Sequence, residues 1–441
     1  MNKAMLAWTA IALSTLQLSA QTTRQEMMDN PRLASGVYLA YPEPVDAPTP
    51  APKGYAPFYV SHYSRHGSRY LISDRDYQWV TRLMEQADSA HALTPLGCDV
   101  LSRLEQLAPL VDGRSGDLTP IGERQHQDIA RRMAEHYPQV FQGERSVSAR
   151  STPSHRCAMS MAAFVESLKS VAPQLHIRSE ISDRYVRYLN WHSDASNRFT
   201  NLNNGPLAEE YRKFEARQTR PDRLMRALFA DSMYVVRHVN PHDLMWGLYW
   251  IAVDMQDVET DVTFDDVLTP DELFDLWQVI NYRFYVGSAN HAEGRGIVMA
   301  NAAPLLRNII ETADEAIARG DVAATLRFGH DGNVIPLLAL MHIEGFDAAV
   351  SRPEQVYRSW CDFRAVPMAA NVQMVFYRNH AGHVLVRLMH NEREVSIPVA
   401  TDLFPYYDWQ RVRDYYMGQV LPAAESLYQD TQAHTKMKDL H

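Results

Sequence analysis

Phe58-Tyr59-Val60-Ser61-His62-Tyr63-Ser64, running straight into Arg65-His66-Gly67-Ser68-Arg69, is the stretch on which the fold turns. A short, mostly apolar run that breaks into a polar turn is how a buried strand leaves a sheet. Two later stretches repeat the form. Ser146 to Arg150 puts Val147 and Ala149 on one side, and Ser151-Thr152-Pro153 then opens a helix with Ala158, Met161, Val165 and Leu168 on a single stripe. Thr325 to Phe328 runs into Gly329-His330-Asp331-Gly332-Asn333 and a helix over Val334 to Met341, with Pro336 expected in its first turn. Strands alternating with helices predict an α/β fold: a mostly parallel sheet with flanking helices. In such sheets, polar residues at strand ends that lead into helices bind ligands.

The pattern changes between residues 180 and 299. Pro206 to Asp231, Asp243 to Met255 and Thr269 to Val286 read as helices, the last opened by a Thr269/Glu272 capping box. This segment is expected to be a helical cap insertion, splitting an α/β domain into residues 21–179 and 300–441. Beyond it, Pro304 to Arg319 is a helix stopped by Gly320, and Val372 to Tyr377 with Val384 to Met389 form a hairpin around His380-Ala381-Gly382-His383. Leu-Thr-Pro-x-Gly occurs at Leu93 and at Leu118, in both places a helix start.

Composition narrows the function. With 46% hydrophobic and 22% charged residues over 441 positions, the chain is globular, and its net charge of −10 argues against a nucleic-acid binder. Residues 1–20 read as a signal peptide: Lys3, an apolar run from Ala4 to Leu18, then Ser19-Ala20. A periplasmic or secreted location follows, and no later run of ~20 apolar residues predicts a membrane span. Cys98, Cys157 and Cys361 allow one disulfide in an oxidising compartment and are spaced too widely for a zinc motif.

The chemistry lies at the strand ends. Arg65 and Arg69 flank His66; two guanidiniums gather a phosphate dianion through forked hydrogen bonds, and both keep the imidazole neutral. A neutral imidazole held against phosphorus is a nucleophile. Gly67 allows a close backbone approach. Arg156, one turn into its helix, is expected to point at the same edge, with Arg150 a further candidate or merely an ion-pair partner. His330 and Asp331 suit an oxyanion donor and a proton donor. The Arg184 and Arg187 pair reads either as a polyanion pocket or as a solvated helix face.

The Arg-His-Gly-x-Arg string at 65–69, Leu-Thr-Pro-Ile-Gly-Glu-Arg-Gln at 118–125, Arg150 to Arg156 and Gly-His-Asp at 329–331 together resemble the histidine phosphatase superfamily, in its histidine acid phosphatase and phytase branch. The resemblance implies an α/β domain with a helical cap and no metal or other cofactor. It implies His66 as nucleophile, Asp331 as proton donor, and Arg65, Arg69, Arg156 and His330 around the phosphoryl group of a small phosphomonoester, inositol polyphosphates among the candidates. The layout is most similar to bacterial members related to multiple inositol polyphosphate phosphatases. Those carry His-Ala-Glu where this chain has His330-Asp331; the His291-Ala292-Glu293 string lacks a preceding strand and reads as a decoy. A phosphotransferase or mutase would use the same imidazole, and a non-catalytic phosphate-binding protein the same arginines. Export argues against the first, and the presence of Asp331 against the second.

Overall fold

The strand that ends in Arg65 lies at the centre of one eight-stranded sheet. The computed structural model describes residues 23–44 and 47–427; the expected signal peptide lies outside the described residues. Strands β1 (Tyr55–Arg65), β2 (Ser146–Ser151), β3 (His176–Ile181), β4 (Val322–Gly329), β5 (Asn371–Asn379), β6 (Val384–His390) and β7 (Arg393–Glu394) follow the order β3-β2-β4-β1-β5-β6-β7, and β8 (Tyr406–Asp408) pairs with β6. From β3 to β1 every pairing is parallel, and from β1 to β7 every pairing is antiparallel. The sheet is therefore parallel through its core, as expected, with the expected hairpin closing the other side.

Parallel pairing positions the site. Arg65 stands opposite Gly329, and Ser151 opposite Phe328, so three polar turns open from one edge. Helices Pro120–His136 and His155–Val171 bury Ile129, Met133, Phe164 and Leu168 against Val147, Leu326 and Phe328. Ala303–Arg319 and Asp331–Leu340 belong to the larger core that includes Val372, Met374 and Phe376 of β5. Each such side chain contributes roughly 1.5–3 kcal/mol when taken out of water. The buried stripe of His155–Val171 runs through Cys157, Met161, Phe164 and Leu168, shifted from the expected Ala158 and Val165 because Phe164 is drawn into a ring cluster with Phe328. The helix after β4 starts earlier than expected, at Asp331, which puts Pro336 in the second turn.

The duplicated Thr-Pro-x-Gly string is a cap. Thr94 accepts from the Gly97 N–H and Thr119 from the Gly122 N–H, with Pro at the next position, where no donor is lost. Residues 183–302 add no strand to the sheet. The expected helix over Pro206 to Asp231 is broken into Ala208–Gln218 and Asp222–Leu228, because Pro221 disfavours helical geometry at Arg220. Pro270–Ser288 carries the expected capping box. Arg75–Ser89 and Pro95–Val111 join this helical layer: a Cβ on Gly247 would sit 2.4 Å from the Trp79 ring.

β3 was not expected. Its residues are mostly exposed and polar, as an edge strand tolerates. All three cysteines are free thiols, Cys98 exposed and the other two buried, so the disulfide that composition allowed is not formed. Among the described residues, no helix is long and apolar enough to cross a membrane.

Candidate active site

The turn after β1 is held by backbone on three sides. His66 N–H donates to Gly329 O at 3.1 Å, Ala369 N–H donates to His66 O at 2.9 Å, and Thr119 N–H donates to Ser68 O at 2.9 Å. Gln125 accepts from Ser68 N–H at 2.9 Å, and Ser160 from Gly67 N–H at 3.1 Å. Gly67 does allow a close approach, and the neighbour is another backbone: a Cβ there would lie 2.4 Å from Gly122 O, and one on Gly122 would lie 2.2 Å from Ser68 O. Gly67→Ala and Gly122→Ala are each expected to cost about 1–3 kcal/mol by forcing the loop off its helix, read as a lowered thermal midpoint.

His66 is buried, and its Nδ1 lies 2.9 Å from Gly67 O. A carbonyl only accepts, so Nδ1 carries the hydrogen and the lone pair is on Nε2. Burial, then the charges of Arg65, Arg156 and Arg69, hold the ring well below its ordinary pKa. It is a neutral imidazole at neutral pH. Beneath it, His62 and His126 are fully buried, each lowered to about 3 chiefly by burial, and both pack on Phe328.

The His330 ring faces His66 edge-on, centroids 5.9 Å apart. Burial lowers its pKa to about 4, and its Nε2 lies 3.2 Å from the Thr152 hydroxyl. His330 caps the following helix and Asp331 is the helix's first residue. Burial pushes the Asp331 carboxyl up, but Arg65, His330 and Arg69 outweigh it and hold it below the usual value. Arg65 donates to Val37 O and Val366 O; Arg69 donates to Tyr70 O at 2.8 Å and to the Tyr38 hydroxyl at 2.9 Å, over whose ring it lies at 4.7 Å. The Nε atoms of Arg65, Arg69 and Arg156 are buried without a hydrogen-bond partner. Three guanidiniums converging on one imidazole, with donors to spare, form an anion cradle.

The chain was also compared with known proteins. The model of the histidine phosphatase superfamily (branch 2) matches residues 60–391, from β1 to just past β6. The chain belongs to the histidine phosphatase superfamily, branch 2. It is 23% identical over 410 residues to multiple inositol polyphosphate phosphatase 1 of Gallus gallus, covering 86% of this chain and 87% of that one. The fold matches the multiple inositol polyphosphate phosphatase of Bifidobacterium longum, solved with inositol hexasulfate, at a TM-score of 0.72 and 20% identity over 86% of this chain and 96% of that one. The phytase of D. castellii matches at 0.64 and 13% identity, over 88% and 85%. This protein is thus a phosphoric monoester hydrolase of the histidine phosphatase type.

Not every expected residue reaches the phosphatase cradle. Arg150 lies 3.5 Å from Glu180 and stacks 5.0 Å from the Tyr185 ring centroid; its partners are on the neighbouring strand and turn, which favours the ion-pair reading. His291 packs among Phe199, Tyr282 and Tyr285 and contacts Ser351 O at 3.2 Å, none of them in the cradle. His383 of the hairpin joins Tyr55 and Asp408. Among the described residues, no group of three or more potential metal ligands converges.

Other residues beside the cradle carry no signal in the sequence. His192 contacts Asn190 and Asn301 and lies beside Gly332, near enough to the Asp331 carboxylate to feel its charge. Asp254 and Asp257 are fully buried behind the Ser68-Arg69 turn: the Tyr77 hydroxyl donates to Asp254, and the Ser68 hydroxyl to Asp257. No local motif marks them, since they close a helix far along the chain. Burial raises both carboxyls, Asp254 to about 7 against the pull of Tyr77 and Arg69. The folded protein therefore holds a proton that the unfolded chain releases near 3.8, so stability is full at the acid end and falls as pH rises toward 7. Asp254→Asn is expected to flatten this loss, measured as the melting temperature at pH 5 minus that at pH 7.

Proposed function

We propose that this protein hydrolyses phosphomonoesters, inositol polyphosphates among them, through a phosphohistidine on Nε2 of His66, with Asp331 as proton donor. One observation carries the reading: a neutral His66, its lone pair fixed on Nε2, inside a ring of Arg65, Arg69 and Arg156. In the first step Nε2 attacks phosphorus in line, the ester P–O bond breaks, and the leaving oxygen takes the Asp331 proton. Nδ1–H keeps its bond to Gly67 O while the ring gains charge. In the second step water attacks phosphorus, Asp331 takes the water proton, and the P–N bond electrons return to Nε2. The three arginines and the His330 N–H stabilise the charge on the equatorial oxygens.

Arg65, His330 and Arg69 hold the Asp331 carboxyl below its usual range, so it is ionised in the free enzyme. The proton that it donates arrives with the substrate monoanion, and the bound phosphate then raises the carboxyl's affinity for it. The test is a substrate panel at acidic pH: inositol hexakisphosphate, a hexose phosphate and an aryl phosphate. Phosphate release from the hexakisphosphate at a kcat/KM at least equal to that for the hexose phosphate supports the substrate class, and a rate indistinguishable from buffer removes it.

A further inference from the structure

A second cluster of arginines lies outside the cradle. In a protein of net charge −10, Arg150, Arg178, Arg184 and Arg187 line one surface cavity of about 330 Å³ with Glu180 and Tyr188. Four guanidiniums face a single carboxylate. Glu180 is shared, 2.9 Å from Arg178 and 3.5 Å from Arg150. Arg184, in the turn Asp183–Tyr185, and Arg187, in the short helix Val186–Leu189 that follows, form no ion pair among the described residues.

The cavity is built rather than incidental. Arg150 and Arg184 both lie over the Tyr185 ring, 5.0 and 5.5 Å from its centroid, so one aromatic ring holds two of the guanidiniums. Tyr188 is only 6% exposed, and its hydroxyl lies against the Arg150 guanidinium, which fixes that arginine at the cavity wall. Asn308, from helix Ala303–Arg319, completes the lining on the face of the sheet away from His62 and Phe328.

We propose that this cavity is a second anion-binding site, for soluble small molecules carrying two or more phosphate groups. One phosphate is satisfied by two guanidinium forks. Two pairs of forks, one from the strands and one from the turn and short helix after β3, suit two phosphates, and the volume is in the ~300–1,000 Å³ range of small-ligand pockets. The site uses no residue of the cradle, so it stands whether or not His66 is the nucleophile.

Isothermal titration of the full chain with methylenediphosphonate, which has no P–O–P bond to cleave, tests it. The wild type should show a class of sites whose affinity falls with ionic strength, and Arg184→Gln/Arg187→Gln should weaken that class roughly tenfold or more while leaving kcat on an aryl phosphate unchanged. Tyr188→Phe, which keeps the ring and removes only the hydroxyl, should weaken it less, and serves if the double variant does not fold. Binding unaffected by all three substitutions overturns the proposal. So does a fall in aryl phosphatase kcat in the folded double variant, which would assign the arginines to the catalytic cleft.

Discussion

His66→Ala is expected to lower kcat on any phosphomonoester by roughly 10⁴–10⁶-fold, the scale on which removing a covalent nucleophile acts. The imidazole is buried, neutral and bonded through Nδ1 to Gly67 O, so no neighbouring group shares its position. His330, whose ring centroid is 5.9 Å away, is oriented edge-on and cannot bring a nitrogen to the same point without breaking its contact with Thr152. The loss should be in kcat, because the arginines that bind phosphate remain; inorganic phosphate should still inhibit the residual rate. Brief incubation with labelled substrate and an alkaline quench should leave label on the wild type and none on the variant. Undiminished turnover, or label retained without His66, would remove the covalent route.

Asp331→Asn should cost roughly 10²–10⁴-fold on alkyl phosphates, the usual worth of a positioned proton donor. The loss should shrink on aryl phosphates, whose phenolate departs without help. The substitution also removes a negative charge beside Arg65, so phosphate binding should tighten rather than weaken. The pH dependence has a definite sign. Since the free enzyme holds Asp331 as carboxylate, the proton must come with the monoanionic substrate, whose second ionisation is near 6. The wild-type kcat/KM should fall tenfold per pH unit above about 6, and a maximum above neutrality would exclude Asp331 as donor.

Much of this was legible because the decisive residues are contiguous. Arg65, His66, Gly67 and Arg69 are one string, and His330 with Asp331 another, so residue type and order announce a phosphate site before any fold is known. The capping strings at Thr94 and Thr119 and the box at Thr269 were legible for the same reason, since a cap is satisfied within four residues. Arg150 shows the limit. Its place in the string is equivalent to that of Arg156, but the strand's alternation turns it toward Glu180 and Tyr185.

What the chain order alone determined is the set of groups bound within one turn or strand of each other: the α/β alternation, the helix starts, and the pairing of an imidazole with flanking arginines. What only the tertiary structure decided is everything that depends on distant backbone meeting. The close approach of Gly67 to Gly122, the buried Asp254 and Asp257 behind Ser68, and His192 beside Gly332 join segments with no shared local pattern. Burial and proximity, which set the protonation of His66 and Asp331, are properties of the assembled core, and no spacing along the chain encodes them.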